Sequence, residues 1–418
     1  MTLFMQTHSI QARRSFLLLQ GVCSPFFSRL ADRLVAEGHV VTKINFNGGD
    51  SAYWGRRPAW SFRGRLEKLE PFLEEKYRSA GVTDIVLFGD RRPVHLPAIE
   101  LAKKHGIRIH VFEEGYFRPY WVTLEREGVN AHSLLPRDPD WYRQTGSLLA
   151  DMPRYETFQS RFRVRAMHDV LYRLGSSTNP VFFPGYRTHA PFIAPVMYAG
   201  YVKRFALKPM HQKRDDAAIT ALIASRTPYY LLPLQLNSDA QIRYHSNFEH
   251  MADVLEFAMK SFALHAPPNS RLVIKNHPLD MGLVNYPRVI RKLEKSFDIA
   301  GKVVYLETGN LELLVQHARG SVTVNSTVGN LALQFNCPTI ALSNPIYNLP
   351  GLTFQGALDQ FWQAPVPPDK ELFHCFMSTV IRTCQVNGSF YCDKGIRLAV
   401  ENSLANLTAE RSLLEELL

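Results

Sequence analysis

Two stretches of this chain repeat one rhythm: short apolar runs alternate with longer segments of helical spacing, joined by brief turns. Strand–helix–strand order with short connections predicts a parallel sheet covered by helices. In the first stretch residues 16–20 form an apolar run closed by Gly21. Ser24-Pro25 then opens a helix carrying Phe26, Phe27, Leu30, Leu34 and Val35, and Gly38 ends it. Strands follow at 40–46, 84–88 and 107–112, with a helix over 96–105. The second stretch restarts the alternation with strands at 229–235, 272–275, 303–306, 321–325 and 339–342. Helices are expected between them at 248–265, 286–297, 311–317 and 327–335.

Between the two, residues 136–215 are rich in proline, aromatic and basic residues, with breaks at Asn179-Pro180, Phe183-Pro184 and Ala190-Pro191. They are expected to be helical insertions plus a linker. A chain of 418 residues also exceeds what one core holds, about 250–300 residues. The expectation is α/β with two Rossmann-like lobes, 1–200 and 215–380. Helices at 381–418 should pack back on the first lobe through Leu404, Leu407, Leu413, Leu414 and Leu417. Two such lobes with a cleft between them suit a glycosyltransferase of the GT-B type, and equally other two-domain α/β enzymes.

The five cysteines contain no CxxC pair, which argues against a disulfide framework or a cysteine-rich zinc site. Arg13-Arg14 precede an apolar run that Gln20-Gly21 cut short, too early for a signal-peptide core. No apolar run nears the ~20 residues of a membrane span. A soluble cytoplasmic protein is expected. Its net charge of +10 favours anionic partners without choosing among nucleic acid, phosphorylated substrates and an acidic membrane surface.

Ligands of open parallel sheets gather at the carboxyl ends of the strands, and four notable clusters fall there. Gln20-Gly21 and Ser24 precede a helix whose first N–H groups suit an anion, although the same residues serve an ordinary capped turn. No GxGxxG pattern supports a nicotinamide cofactor. Glu113-Glu114-Gly115 puts two carboxylates at a strand end, an arrangement suited to a nucleophile or base beside a tuning partner. A solvated acidic turn is the plainer alternative, disfavoured by the aromatic and basic tail from Tyr116 through Arg118 to Trp121.

Lys275-Asn276-His277-Pro278 fixes a histidine beside a lysine after the strand at 272–275, fit to bind phosphate. Asn325, Ser326 and Thr327 open a helix with hydroxyls. Each reads equally as local structure, but together they describe a nucleotide-phosphate site. No carboxylate or histidine stands at metal-ligand spacing nearby, so no metal is expected. Lesser candidates are Asn47 and Asp50 in the turn 45–50, and Gln235 in the turn 235–239. The basic runs 161–165 and 203–214 interleave with aromatic and aliphatic residues, as a helix lying on an acidic membrane would, or a merely solvated face.

These residues resemble the bacterial capsule polysaccharide biosynthesis and export family known as KpsS/LipB, over essentially the whole chain. Signatures lie at Gln20-Gly21 to Phe27, 44–50, 88–92, 113–119, Lys275 to Pro278, and Asn325 to Gly329. The resemblance implies a retaining β-Kdo transferase that moves Kdo from CMP-Kdo to a phosphatidylglycerol-type lipid and starts the poly-Kdo linker of ATP-exported capsules. It implies no cofactor, no metal and no nucleic acid. Partners would be the anionic lipid acceptor, the cytoplasmic face of the inner membrane, a KpsC-type transferase and the capsule export machinery. Related β-Kdo transferases carry Asp where this chain has Glu114.

The implied roles are Glu114 as nucleophile, with Glu113 positioning it or raising its pKa. Lys275, His277, Pro278, Asn325, Ser326, Thr327 and Gln235 would bind the donor. Gly21, Ser24, Asn47, Asp50 and Arg118 would lie at the acceptor or in the cleft. A non-catalytic export or assembly factor, and a transferase of another CMP-sugar, remain as alternatives.

Overall fold

The computed structural model describes residues 13–149, 152–187, 194–236 and 248–418. The expected turn residues Asn237, Ser238 and Asp239, and the Ala190-Pro191 break, lie outside them.

The elements run β1 (Ser15–Leu18), α1 (Phe26–Ala36), β2 (Val40–Asn45), α2 (Gly48–Trp54), β3 (Ala59–Ser61), α3 (Leu69–Ser79), β4 (Asp84–Phe88) and α4 (Leu96–Lys104). Then come β5 (Arg108–Glu114), β6 (Trp121–Arg126), α5 (Pro139–Leu148), α6 (Phe162–Ser176), α7 (Asn179–Phe182) and α8 (Ala194–Ala224). The second alternation is β7 (Tyr229–Pro233), α9 (Met251–His265), β8 (Arg271–Lys275), α10 (Tyr286–Ser296), β9 (Val303–Leu306), α11 (Leu311–His317), β10 (Gly320–Thr323), α12 (Val328–Gln334) and β11 (Thr339–Ala341). The chain ends with α13 (Leu358–Phe361), α14 (Lys370–Cys384), β12 (Gln385–Asn387), α15 (Asp393–Thr408) and α16 (Leu413–Leu417).

These elements build two separate sheets in two compact units. Among the described residues the first unit holds 13–134, 153–187 and 382–418; the second holds 135–149, 152, 194–236 and 248–381. Residues 135–152, read from sequence with the first lobe, thus count with the second unit. There Tyr142 packs edge-on to Phe376 of α14, and Cys375 lies so close to Gly146 that a Cβ would overlap it. The 200–215 stretch read as a linker is the middle of α8. Its Ala, Lys, Leu, Met and Gln content favours helix on either side of Pro209.

The first unit's seven-stranded sheet has the order β12-β6-β5-β4-β1-β2-β3. Its β1 to β5 pair in parallel, but β6 runs antiparallel to β5 and β12 antiparallel to β6. The sheet is therefore mixed, where sequence predicted a parallel one. The short β3, β6 and β12 went unread because none is a long apolar run. Strand residues alternate faces. Phe16 and Leu18 join α1 and the Ile396, Ala399, Val400 and Leu407 face of α15, while Leu17 and Leu19 join α3 and α4. Leu414 is buried, but Leu413, expected on the same apolar face, is exposed.

The second unit's five-stranded sheet, β11-β10-β7-β8-β9, is parallel throughout. Tyr230, Leu232 and Leu234 face α9 and α10, and Tyr229 and Leu231 face Ile219 and Leu222 of α8. The fold is α/β with two Rossmann-like units, the kind of unit that GT-B glycosyltransferases pair.

Candidate functional site

Strand order locates where a ligand would enter each unit. In the first, the chain goes from β1 outward to β2 and β3, then returns to the other side of β1 for β4. The switch point lies beyond the carboxyl ends of β1 and β4, where two connections diverge and leave a crevice. Gln20 and Gly21 follow β1, and Arg92 follows β4. The Arg92 guanidinium donates to the Gly21 carbonyl at 2.8 Å. Ser24 is not the helix N-cap; that position is Pro25, and the Ser24 hydroxyl accepts the Phe26 N–H at 3.3 Å.

Asn47 and Asp50 lie beside this point as structural residues. Asn47 caps α2 by accepting the Asp50 N–H at 2.9 Å, and its amide donates to the Tyr172 hydroxyl of α6 at 2.8 Å. Tyr172 donates to Asp50 at 3.0 Å, and Asp50 also accepts the Phe46 N–H at 3.1 Å. Lys43 stands 3.8 Å from Asp50. Its burial lowers the ammonium pKa, and Asp50 works against that. The cavity among Gly21, Ser24, Lys43 and Asp50 measures about 10 Å³, room for about one water. The structure brings Gly21, Ser24, Asn47 and Asp50 together, and packs them.

The two carboxylates stand one strand away. Glu113 and Glu114 are not a turn after β5 but its last two residues, opposite Thr123 and Val122 of β6. Antiparallel pairing with β6 extends the strand past the residue where the apolar run stops. The turn begins at Gly115, where a side chain would overlap the Trp121 carbonyl. Neighbouring strand residues point to opposite faces, so the two carboxylates diverge. Glu113 bends back to accept the Glu114 N–H at 2.9 Å, and its other oxygen lies toward the Gly89 backbone after β4. Glu114 meets Arg165 of α6, with guanidinium and carboxylate 3.0 Å apart. Arg165 in turn lies 4.5 Å over the Tyr391 ring. Arg118 is exposed in the hairpin turn and donates weakly to the Gly115 carbonyl at 3.4 Å.

In the second unit the chain runs from β7 outward to β8 and β9, then crosses back for β10 on the other side of β7. Its switch point lies between the carboxyl ends of β7 and β10. Gln235 and Asn325 occupy those ends and bond each other twice. The Gln235 amide donates to the Asn325 side chain at 2.9 Å, and its oxygen accepts the Asn325 N–H at 3.3 Å. Ser326 Oγ accepts the Val328 N–H at 3.2 Å, and the Ser326 carbonyl accepts from Tyr347 at 2.7 Å. Thr327 occupies the N-cap of α12 without a side-chain cap bond.

The Lys275-to-Pro278 turn leaves the adjacent β8. Asn276 anchors it, accepting the His277 N–H at 2.8 Å and donating to Glu307 at 3.0 Å. His277 Nδ1 accepts the Leu279 N–H at 3.0 Å. An accepting nitrogen carries no proton, so the neutral ring is protonated at Nε2, a donor suited to a phosphate oxygen. Lys275 is buried, with Nζ 3.4 Å from the Asn276 carbonyl. Desolvation lowers its pKa, and the charge of Arg204 acts the same way.

The sequence did not point to Tyr172, Tyr391 or Glu307, and it placed Arg92 only within the 88–92 signature and Arg165 and Arg204 only within basic runs. Arg165 lies far along the chain from Glu114, in a stretch that reads as a basic surface. No local pattern marks which face of a helix turns inward.

Fold and site together define an α/β protein of two Rossmann-like units with polar clusters at both switch points. The chain belongs to the family described as capsule polysaccharide biosynthesis protein, whose sequence model matches residues 83–391. It is 36% identical to the capsule polysaccharide modification protein LipB of Neisseria meningitidis serogroup B, covering 91% of this chain and 93% of that one. It is 37% identical to the capsule polysaccharide export protein KpsS of Escherichia coli, covering 90% and 97%. Among solved structures, the beta Kdo 2,7 transferase of Thermosulfurimonas dismutans KpsC aligns over 95% of this chain and 100% of that one, at 13% identity with a TM-score of 0.44. An overlap that loose transfers no chemistry.

Proposed function

We propose that this protein is a retaining glycosyltransferase that moves Kdo from CMP-Kdo to a phosphatidylglycerol-type lipid. The observation that carries the reading is the Glu114–Arg165 ion pair at the end of β5, next to the first unit's switch point. The Arg165 guanidinium at 3.0 Å holds the Glu114 carboxylate in place at the strand end, as a nucleophile requires. Glu113, held by the Glu114 N–H, is the positioning neighbour.

On the donor side, His277 Nε2 and the hydroxyls of Ser326 and Thr327 are phosphate donors, and the Gln235–Asn325 pair fixes the switch-point backbone. Glu114 would attack the anomeric carbon while the bond to the phosphate oxygen breaks and CMP leaves with the electron pair. The acceptor hydroxyl would then attack from the face CMP vacated, losing its proton to solvent while Glu114 leaves as a carboxylate, so two inversions give retention. No metal or cofactor has a part in this scheme.

A place on the membrane surface follows from the acceptor. No helix among the described residues is long and apolar enough to cross a bilayer. Instead α6 exposes Met167, Val170, Leu171 and Leu174, α7 exposes Val181 and Phe182, and Arg161 and Arg163 flank them. Apolar groups bordered by arginine suit an anionic lipid surface.

The deciding experiment incubates the purified protein with CMP-Kdo and a short phosphatidylglycerol analogue, then reads the product by mass spectrometry. A mass gain of one or more Kdo residues supports the reading. No gain with CMP-Kdo favours the assembly-factor role, and a gain only with another CMP-sugar reassigns the donor.

A further inference from the structure

The hairpin that follows Glu114 opens onto a second surface of the first unit. Glu114 pairs with Val122, so Tyr120 stands two residues beyond that pair, about 7 Å along the strand direction. The Tyr120 and Tyr155 rings stack there, centroids 5.8 Å apart and planes 28° from parallel. Phe158 meets Tyr120 edge-on at 5.5 Å, and Trp121 lies 5.5 Å from Tyr155. Residues 153–158 form no helix or strand, yet buried Asn387 of β12 fixes them. Its amide donates to the Tyr120 carbonyl at 2.8 Å and the Glu156 carbonyl at 3.1 Å, and its oxygen accepts the Glu156 N–H at 2.9 Å. One side chain thus ties the hairpin to this strap, and the aromatic step has a fixed shape.

Its surroundings are basic. The strap's one acidic residue, Glu156, is paired with Lys394 at 2.9 Å. Arg118 in the hairpin and Arg154 in the strap are exposed, and neither forms an ion pair among the described residues. Tyr155 is 47% exposed although it touches two other rings. The face of an aromatic ring is negative, so it accepts the weakly positive C–H face of a sugar ring. Tyrosine hydroxyls at the margin suit sugar hydroxyls, and a guanidinium fork matches a carboxylate. A lipid surface is better met by protruding aliphatic groups, which α6 supplies, than by rings stacked on one another.

We propose that Tyr120, Tyr155 and Phe158, with Arg118 and Arg154, form a platform for a short chain of carboxylate-bearing sugars. The platform would hold carbohydrate already joined to the acceptor, beside the strand end that carries Glu114. The inference rests on the transferase reading above and adds a place for the sugars that the reaction makes.

Calorimetry with a Kdo disaccharide and with neutral maltose tests this on the full-length protein and on Tyr155→Ala, Tyr155→Trp and Arg154→Gln. Both positions are exposed, so the variants should keep the parent's melting temperature. The parent should bind the Kdo disaccharide and not maltose. Tyr155→Ala should weaken that binding about tenfold, and Tyr155→Trp should retain it. Arg154→Gln should weaken it and make it less sensitive to salt. If Tyr155→Ala and Arg154→Gln bind as the parent does, or maltose binds as tightly as the Kdo disaccharide, the inference is overturned. Turnover of CMP-Kdo by the parent, measured in parallel, reports on the transferase reading alone. A parent that turns over CMP-Kdo but binds no Kdo disaccharide therefore sinks the platform and leaves that reading standing. If Tyr155→Ala loses binding to phosphatidylglycerol vesicles and keeps the disaccharide, the surface faces lipid and the inference fails.

Discussion

Arg165 of α6 and Glu114 of β5, 51 positions apart in sequence, face each other across 3.0 Å at the carboxyl edge of the first sheet. The pair makes α6 part of the candidate site and fixes what each partner should do when removed. Glu114→Gln keeps the shape and removes the charge. It should leave CMP affinity near the parent value and lower turnover by at least ~10³-fold. Retention of more than a few per cent of activity would exclude Glu114 as nucleophile and move attention to Glu113.

Arg165→Met should lower kcat severalfold with little change in CMP affinity. Without the guanidinium the Glu114 carboxylate loses the contact that holds it at 3.0 Å, so the loss should appear in kcat rather than in KM. An unchanged kcat would mean that Arg165 only packs on Tyr391.

Gly48 begins α2 where a Cβ would overlap the Gly175 carbonyl of α6. Gly48→Ala should therefore push α6 outward and destabilise the first unit by roughly 2 kcal/mol. Because α6 carries Arg165 and Tyr172, activity should fall as well. An unchanged denaturation midpoint would show that the two helices yield without cost.

Buried Asp84, at the start of β4, accepts from His110 at 2.8 Å, Arg108 at 3.1 Å and Arg14 at 3.4 Å. Burial lowers the His110 pKa from 6.5 to about 4, against the opposing pull of Asp84. Its folded value lies below its unfolded one, so the unfolded chain takes up a proton first as pH falls. Stability should drop between pH 6.5 and 4 by roughly 3 kcal/mol. Asp84 is held down at about 2 although burial pushes it up, mainly through its bond to His110, which continues the loss below pH 4. Chemical denaturation at stepped pH should show this slope, and His110→Asn should flatten its upper part.

Glu125 of β6 has the opposite sign. Burial pushes its pKa up to about 7, although Ser133 and Tyr116 donate to it. Its contribution is complete below the unfolded carboxylate value and fades as pH rises toward 7. Glu125→Gln, which preserves an acceptor for Tyr116, should thus stabilise the protein at pH 8 and have little effect at pH 4. Equal effects at both pH values would show that Glu125 ionises normally.

The membrane reading shifts from the residues first indicated by sequence. Arg204 is committed to Asp280 and Glu307, so reversing its charge would damage the second unit. Replacing the exposed Met167, Leu171 and Leu174 with serine should reduce sedimentation with anionic vesicles while leaving the fold intact. Undiminished binding would assign the contact to exposed Lys203 and Lys208 instead.

Sequence by itself determined the longer strands of both alternations and all the helices of the second, because each is a run of one period, but it left α2, α3, β3, β6 and β12 unread. The strand at 84–88 and the strand at 303–306 fall where the spacing put them. It also located the chemistry-bearing turns, since strand ends followed by glycine, proline or hydroxyl residues are local signals. Only tertiary structure decided what faces those turns. The Glu114–Arg165 pair, the Asn47–Tyr172–Asp50 cluster and the Arg204 clamp each join elements far apart in the chain, and no local periodicity encodes such a pairing. Tertiary structure also kept Glu113 and Glu114 inside β5. Their polar side chains end the apolar run, but the backbone bonds supplied by β6 do not depend on side-chain polarity, and the strand continues.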